Sequence, residues 1–470
     1  VPDLIWGKNG CRCLCDGPRN SPEGLMRIPT PLAVAVLAVI AGQTARAETV
    51  EVTSTTLLQL GQQTRGGLTP LDPDLVTVAP AFEILSIAAR GVANPIADDL
   101  SIVVSTWGSY ELSDRRWDAG TDSNLTGEVV TGYVQGKLLG RRLTLRLGRE
   151  HVMTGVARMI HIDGLEAIGH LGGGFRLSAY AGVPVSQRFG SRTTARSWNP
   201  TGGDLAFGGR LGWALGLPGV PGRGVELGAS ANVVQDGGDP VRQEVGADVR
   251  LQPFGDFTLS GVAAYSTFDQ RLSEIAARAA WSATRHLRIE AAARTYAPDL
   301  FLARNSILSV FSAEERTDLG GGVTYELGKG LLAGGSYHVV LEPGETEDAS
   351  DYVGGEAAAR LEWERGVTRA GAEVEYLDAL ENGYVAVRVF GRREMGRLFA
   401  AADVSGHLFR ESVNGEDFAV TGAVTAGIEL AKGFSAVVSG RAGMTPFLEQ
   451  TFDVMAKLAY NSTYRTREVR

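Results

Sequence analysis

Cysteine is almost missing. The 470-residue sequence has three, Cys11, Cys13 and Cys15, and all lie ahead of the first methionine, Met26. No disulfide is available to the rest of the chain, so in an oxidising compartment the fold must be held by backbone pairing. The Cys-x-Cys-x-Cys spacing matches no closed tetrahedral ligand set. Long apolar runs are missing too: after Ala47 no stretch is long enough for a membrane helix. An excess of basic residues is missing, with 45 Lys+Arg against 54 Asp+Glu and a formal net charge of −9. With no basic stripe carrying interleaved aromatics, a nucleic-acid partner is not expected. Histidine is scarce at 6 residues, and neither H-E-x-x-H nor G-x-S-x-G occurs. The 61 glycines follow no period of three and form no low-complexity block, which excludes a collagen-like or disordered chain.

What is present is alternation. Phe434, Ala436, Val438, Gly440, Ala442 and Met444 are apolar or glycine, and the residues between them are mostly small or polar. After a turn, Phe452, Val454, Ala456, Leu458 and Tyr460 repeat the pattern. Side chains alternate faces along a strand, so each run has one apolar and one wet face. About ten residues with an aromatic near an end is the pattern of a strand crossing an outer membrane. Overall composition cannot decide the class, because only half of each such strand is apolar. The period recurs from Val50 to Tyr460, further than a soluble sandwich would keep it without a linker or helix.

Connector lengths give a direction. Short turns at 253–256, 328–330, 395–397 and 431–433 alternate with longer polar connections at 111–125, 186–204, 297–317 and 343–351. Short turns on the periplasmic side and long loops on the other are expected of a barrel. The reading is an all-β, transmembrane, antiparallel up-and-down barrel of about 22 strands, with 18 or 20 left open by the splitting of residues 149–174. An even count puts both ends in the periplasm. An open sheet edge would leave backbone groups unpaired in lipid at several kcal/mol each, so the sheet must close and 48–470 forms one domain.

Ahead of it, Met26-Arg27, an apolar core over 31–42 and Ala45-Arg46-Ala47 make a secretory signal peptide over 26–47, with cleavage expected after Ala47. Residues 1–25 read as a mis-called, non-native start. No large plug domain is expected ahead of the first strand, so the strand count alone does not call for a plugged, energy-coupled transporter.

The wet face carries charge. A charge facing lipid near the midplane costs about 2–4 kcal/mol, so these groups are expected to face a hydrated lumen. The pore-lining candidates are Arg146, Asp163, Glu244, Asp248, Arg250, Arg288, Glu290, Arg294, Glu356, Arg360, Arg369, Glu373 and Arg441. Glu290 is expected to pair with Arg288 and Arg294, and Glu356 with Arg360. The loop over 186–204 carries Arg188, Arg192 and Arg196 and is the candidate constriction. The loop over 297–317, with apolar runs at 300–303 and 307–311, is a second candidate lid. His161 and Asp163 share a face at i, i+2, with Glu150 and His151 close in sequence. No motif supports a catalytic or metal site there, so none is assigned and no cofactor or enzymatic turnover is expected.

Leu145-Arg-Leu-Gly-Arg-Glu150, Arg158, Asp163-Gly-Leu165 and Ala179-Tyr-Ala-Gly182 resemble a stretch of Gram-negative outer-membrane porin-like barrels. They are loosely similar to the alginate-export type, whose strand ends Gly-Arg-Gln where this chain has Glu150. The resemblance implies that Arg146, Arg149 and Asp163 line the pore or its girdle and guide anionic or sugar-like solutes. It also implies an integral protein of the Gram-negative outer membrane, in contact with lipid and lipopolysaccharide and inserted by the barrel-assembly machinery, with a homo-oligomer left open. The chain runs past Tyr460 and Tyr464 to Arg470, whereas such barrels usually end on an aromatic residue. The expected function is passive diffusion of small hydrophilic solutes. The alternatives are a polysaccharide exporter and a non-conducting barrel with an enzymatic or structural role.

Overall fold

The computed structural model describes residues 47–65, 74–113, 125–157, 159–185, 204–216, 224–297, 300, 315–343, 350–379, 382–446 and 448–465. The expected signal peptide and the segment before it lie outside the described residues, apart from Ala47. The strands in the first half are β1 (Ala47–Arg65), β2 (Asp74–Val78), β3 (Pro80–Val92), β4 (Asp99–Glu111), β5 (Leu125–Leu138), β6 (Leu143–Met153), β7 (Met159–Gly172), β8 (Phe175–Pro184), β9 (Leu205–Gly216), β10 (Gly224–Asp236) and β11 (Asp239–Phe254). The second half holds β12 (Phe257–Ser266), β13 (Arg271–Ser282), β14 (Leu287–Tyr296), β15 (Arg316–Gly328), β16 (Leu331–Pro343), β17 (Ser350–Arg365), β18 (Thr368–Ala379), β19 (Tyr384–Met395), β20 (Leu398–Val413), β21 (Glu416–Ala431), β22 (Phe434–Thr445) and β23 (Leu448–Arg465).

These 23 segments make 22 strands, because β2 and β3 are separated by Ala79 alone and both pair with β1. Proline explains the break. Pro80 has no N–H to give to the ladder. Beside it Ala79 turns its own N–H to Glu111 Oε1 at 2.8 Å. Every other strand pairs antiparallel with its sequence neighbours, and β1 pairs with β23 from Thr49↔Arg465 to Gly61↔Asp453. The sheet therefore closes on itself and leaves no edge for lipid. Counts of 18 and 20 are excluded. The ambiguity came from β6, which runs on past Arg149 to Met153 before β7 starts at Met159.

The four short turns expected on one side all fall at the end that holds the start of β1 and the end of β23. The four long connections fall at the other end. The rule has exceptions on both sides. The connections at 93–98 and 217–223 are longer than a tight turn, and at the long-loop end Gly237–Gly238 and Asn414–Gly415 close two-residue hairpins. Asn414 and Gly415 have φ of 51° and 86°, the left-handed pair that a twisted two-residue hairpin requires.

The outer face is apolar and belted. Val424, Leu408, Val389 and Val438 project from it at 65%, 60%, 55% and 55% exposure, which excludes a water-facing surface over the middle of these strands. Aromatic pairs sit at the short-turn end of the same face: Phe175↔Trp213, Phe257↔Trp281 and Phe434↔Tyr460. Tyr265, Tyr376 and Phe452 occupy the opposite end of their strands. Two aromatic girdles bounding an apolar band mark the two interfaces of a bilayer.

One place on the inner face is held open by glycine. Gly148, Gly164 and Gly182 are in register on β6, β7 and β8. A Cβ on Gly164 would run into the Ala181 carbonyl and the Gly182 Cα. The strands approach here more closely than a side chain allows. Gly164→Val is therefore expected to block closure. The check is heat-modifiable mobility on a denaturing gel: the compact folded band of the wild type should be absent from the variant.

Candidate functional site

One cavity of about 540 Å³ identifies the inner face. It touches Glu166 and Ile168 of β7, Arg176 of β8, Arg210 of β9, Asp248 of β11, Ala264 of β12, Glu274 of β13 and Arg294 of β14. A single space in contact with strands from β7 to β14 lies on the concave side of a closed sheet. From these residues the inner face follows by alternation and register around the barrel.

Most charges on that face are engaged in ladders across neighbouring strands. Arg146 holds Glu166 at 2.9 Å and Gln135 at 2.7 Å. Arg210 holds Asp248 at 2.6 Å and Glu226 at 3.1 Å. Arg294 holds Glu274 at 2.7 Å, and Arg388 holds Asp403 at 2.6 Å. Phe390 lies among Arg360, Arg369 and Arg388, whose guanidinium carbons are 5.7, 6.0 and 5.2 Å from its ring centre. Guanidinium is the suitable cation for such a wall, because its planar fork satisfies carboxylates and stacks on aromatics together.

Of the residues singled out from sequence, Arg146, Glu244, Asp248, Arg250, Arg288, Glu290, Arg294, Glu356, Arg360, Arg369, Glu373 and Arg441 lie on the inner face by register. Asp163 does not. It shares the face of Leu165 and is bound through both oxygens to Arg149, each at 2.7 Å. Glu166, on the other parity, takes the inward position. Arg149 likewise belongs with Leu147 on the outward set, so of the residues implied by the family resemblance Arg146 alone faces inward. Two pairings also differ from expectation. Glu290 is shared by Arg288 and Arg278, at 2.6 and 2.7 Å, while Arg294 goes to Glu274. Arg360 and Arg369 both bind Glu362, not Glu356. In each case a same-strand pair two residues apart is kept and a cross-strand neighbour, which the sequence alone does not name, joins it.

Nor do His151, His161, Glu150 and Asp163 converge. The two imidazoles stack at 4.2 Å with planes 3° apart, Asp163 is taken by Arg149, and Glu150 sits opposite Ile162 on the other face. Among the described residues no group of three or more His, Cys, Asp or Glu is placed to hold a metal. Arg188, Arg192 and Arg196 lie outside the described residues, as does most of the second candidate lid.

The inward-folding connection that the structure does describe is a different one. Between β6 and β7, Gly155–Ala157 form a 3-10 turn that folds inward onto β10 and β11. The Val156 N–H donates to Ser230 Oγ at 3.0 Å, and the Val156 side chain lies over Gly246. Gly155 is at φ 54° with Ser230 against it, a position closed to any residue with a Cβ. Val156 is 1% exposed and Thr154 2%. Beside the turn Val152, Ile162, Tyr180, Ala206 and Val234 form a small apolar cluster, and the Tyr180 hydroxyl donates to Asn232 Oδ1. The turn is thus packed against the wall, not hung across it. Little in the sequence marks it. Residues 154–158 break the alternation, and Val156 is the single large apolar residue there. Glu166, Arg176, Arg210 and Glu274 obey the same alternation as the named candidates, in runs less regular than theirs.

No protein-family model matches the sequence, and no curated protein matches it. Among solved structures, a mutant of the ferric enterobactin receptor PfeA from Pseudomonas aeruginosa aligns at a TM-score of 0.52 and 12% identity, over 88% of this chain and 81% of that one. The siderophore receptor PirA from Pseudomonas aeruginosa aligns at 0.50 and 12%, over 87% and 80%. At this identity the likeness is one of fold. Together with the closed sheet, the apolar band and its girdles, it decides the class. The chain is a transmembrane β-barrel.

Proposed function

We propose that this barrel is a channel for passive diffusion of small hydrophilic solutes, without turnover or cofactor, in the outer membrane of a Gram-negative bacterium. The observation that carries the reading is the inner wall. Most of its charges are engaged in pairs of opposite sign, within and across strands, and the β6–β7 turn folds inward against it. A ring of 22 strands encloses more space than side chains fill, and paired charges of both signs keep water in such a lumen and bias which ions pass. Lipopolysaccharide contact, insertion by the barrel-assembly machinery and self-association belong to the same proposal.

Export of a charged polysaccharide is the second transport reading. It is disfavoured because Arg149 and Asp163, two of the residues its resemblance includes, neutralise each other on the outward face. An enzyme would need His161 or Asp163 in an accessible cluster, and His161 is 8% exposed with its ring stacked on His151.

Liposome swelling tests the proposal. Vesicles carrying the folded barrel should swell in small sugars at rates that fall steeply with solute size. Rates equal to protein-free vesicles for every solute would remove the diffusion reading.

A further inference from the structure

The end of the β6–β7 ladder gathers four metal-binding side chains on one face. Met153 pairs directly with Met159, and one step further in His151 pairs with His161. The register is unbroken from Leu143↔Gly169 to Met153↔Met159, so residues two apart point the same way. Val152 and Ile162, of the opposite parity, are packed in the apolar cluster beside the inward turn. The two methionines and two histidines therefore stand together on the other face. Directly opposed side chains start about 5 Å apart, and the next pair lies about 7 Å along the strand. Both methionines are exposed, at 77% and 63%, on unbranched side chains that adapt to such a gap. His161 is buried, with its ring flat against His151. Beyond a weak contact with the Val130 backbone carbonyl, neither of its ring nitrogens has a partner among the described residues. Arg149, the cation on the same face, is held by Asp163 at 2.7 Å and Glu128 at 3.5 Å, so its charge is matched beside the cluster.

We propose that Met153, Met159, His151 and His161 form a binding site for monovalent copper. Thioethers select a soft ion, and imidazole suits copper as well. Zinc is poorly served: two histidines are present, and among the described residues no third His, Cys, Asp or Glu joins them. Thioethers complete the set for copper alone. A buried imidazole with an unsatisfied nitrogen costs free energy, and an ion takes up that valence. The Val130 carbonyl suits the same arrangement, because a ligating histidine holds its other ring N–H on a backbone acceptor. The parallel stack opens as the rings rotate about χ2 and turn a nitrogen of each toward the ion. Bound there, the ion joins the last residue of β6 to the first of β7 and so clamps the two ends of the inward turn. Met153 also borders the cavity on the inner wall, which puts the ion at the edge of the lumen. The site does not depend on the channel reading.

The experiment titrates the detergent-folded barrel, with Cys11, Cys13 and Cys15 alkylated, with Cu(I) in anaerobic ascorbate against the chromogenic chelator bicinchoninate. One tightly held Cu(I) per chain is expected, with sulfur neighbours in its X-ray absorption spectrum. Replacing both methionines, Met153→Leu with Met159→Leu, keeps size and apolar character at exposed positions. It should weaken Cu(I) binding at least about tenfold, as should His151→Asn. Met395→Leu on β19 should change nothing, and Zn(II) should bind the wild type no more tightly than the double variant. A wild type that withholds no Cu(I) from the chelator overturns the proposal. So does undiminished binding by M153L/M159L, or a copper spectrum without sulfur. An equal loss in M395L would mean that methionines are titrated wherever they lie, and overturns it too. Should the double variant lack the folded gel mobility, H151N and the sulfur signal of the wild type decide together.

Discussion

Replacing residues 154–158 with Asn-Gly is expected to raise single-channel conductance by about twofold or more, because a narrow segment dominates the resistance of a pore. The design is permitted by register. Met153 and Met159 are directly paired, and Asn-Gly closes a two-residue hairpin with the strand twist preserved. It removes Val156 from the wall and leaves Ser230 and Gly246 facing solvent. Among the described residues the inner ladders of charge do not involve the turn, so the barrel should keep its folded gel mobility. An unchanged conductance from folded protein would mean that the turn lies beside the conducting path, not in it.

The second large effect is electrostatic. Arg210 is held at 16% side-chain exposure between Asp248 and Glu226, with Asp248 bound through both of its oxygens. The group lies over Gly228, where a Cβ would meet both partners. Arg210→Ala would leave two carboxylates without their cation beside the inward β6–β7 turn. Potassium-to-chloride permeability is expected to rise about threefold, since fixed charge acts most strongly where the pore is tight and poorly screened. Arg441→Ala is the comparison. Arg441 is 61% exposed and 3.5 Å from Asp453, in the open part of the wall, and an exposed pair of this kind has little influence. Reversal potentials in a salt gradient measure both. Equal shifts for the two variants would mean that the region around the β6–β7 turn is not the selective segment.

Much of this architecture is legible from period alone. The last hairpin shows it best: Phe434 to Met444 and Phe452 to Tyr460 line the outer face in the structure as their alternation requires, with Arg441 and Asp453 opposed inside. Strand number was blurred at one place, where β6 continues beyond Arg149 through Glu150, His151 and Val152, a stretch without clean alternation. Face assignment failed at Asp163 for a related reason. Charge suggested an inward position, but parity with Leu165 placed it outward, where Arg149 satisfies it. Pair identity was legible in part: Arg288 meets Glu290 as expected, while the cross-strand partners Arg278 and Arg369 depend on register, which is a property of two strands at once. The inward turn was hidden most deeply. Its only local marks are Gly155 and Val156, and its place is fixed by Ser230 and Gly246, far along the chain.

The central claim is a hydrated, conducting lumen. The most direct test is single-channel recording of the chain from Glu48 onward, refolded and inserted into a planar bilayer. Discrete, long-lived open steps with a measurable ion bias are the predicted result. Persistent silence from protein that shows the folded, heat-modifiable mobility would contradict the account.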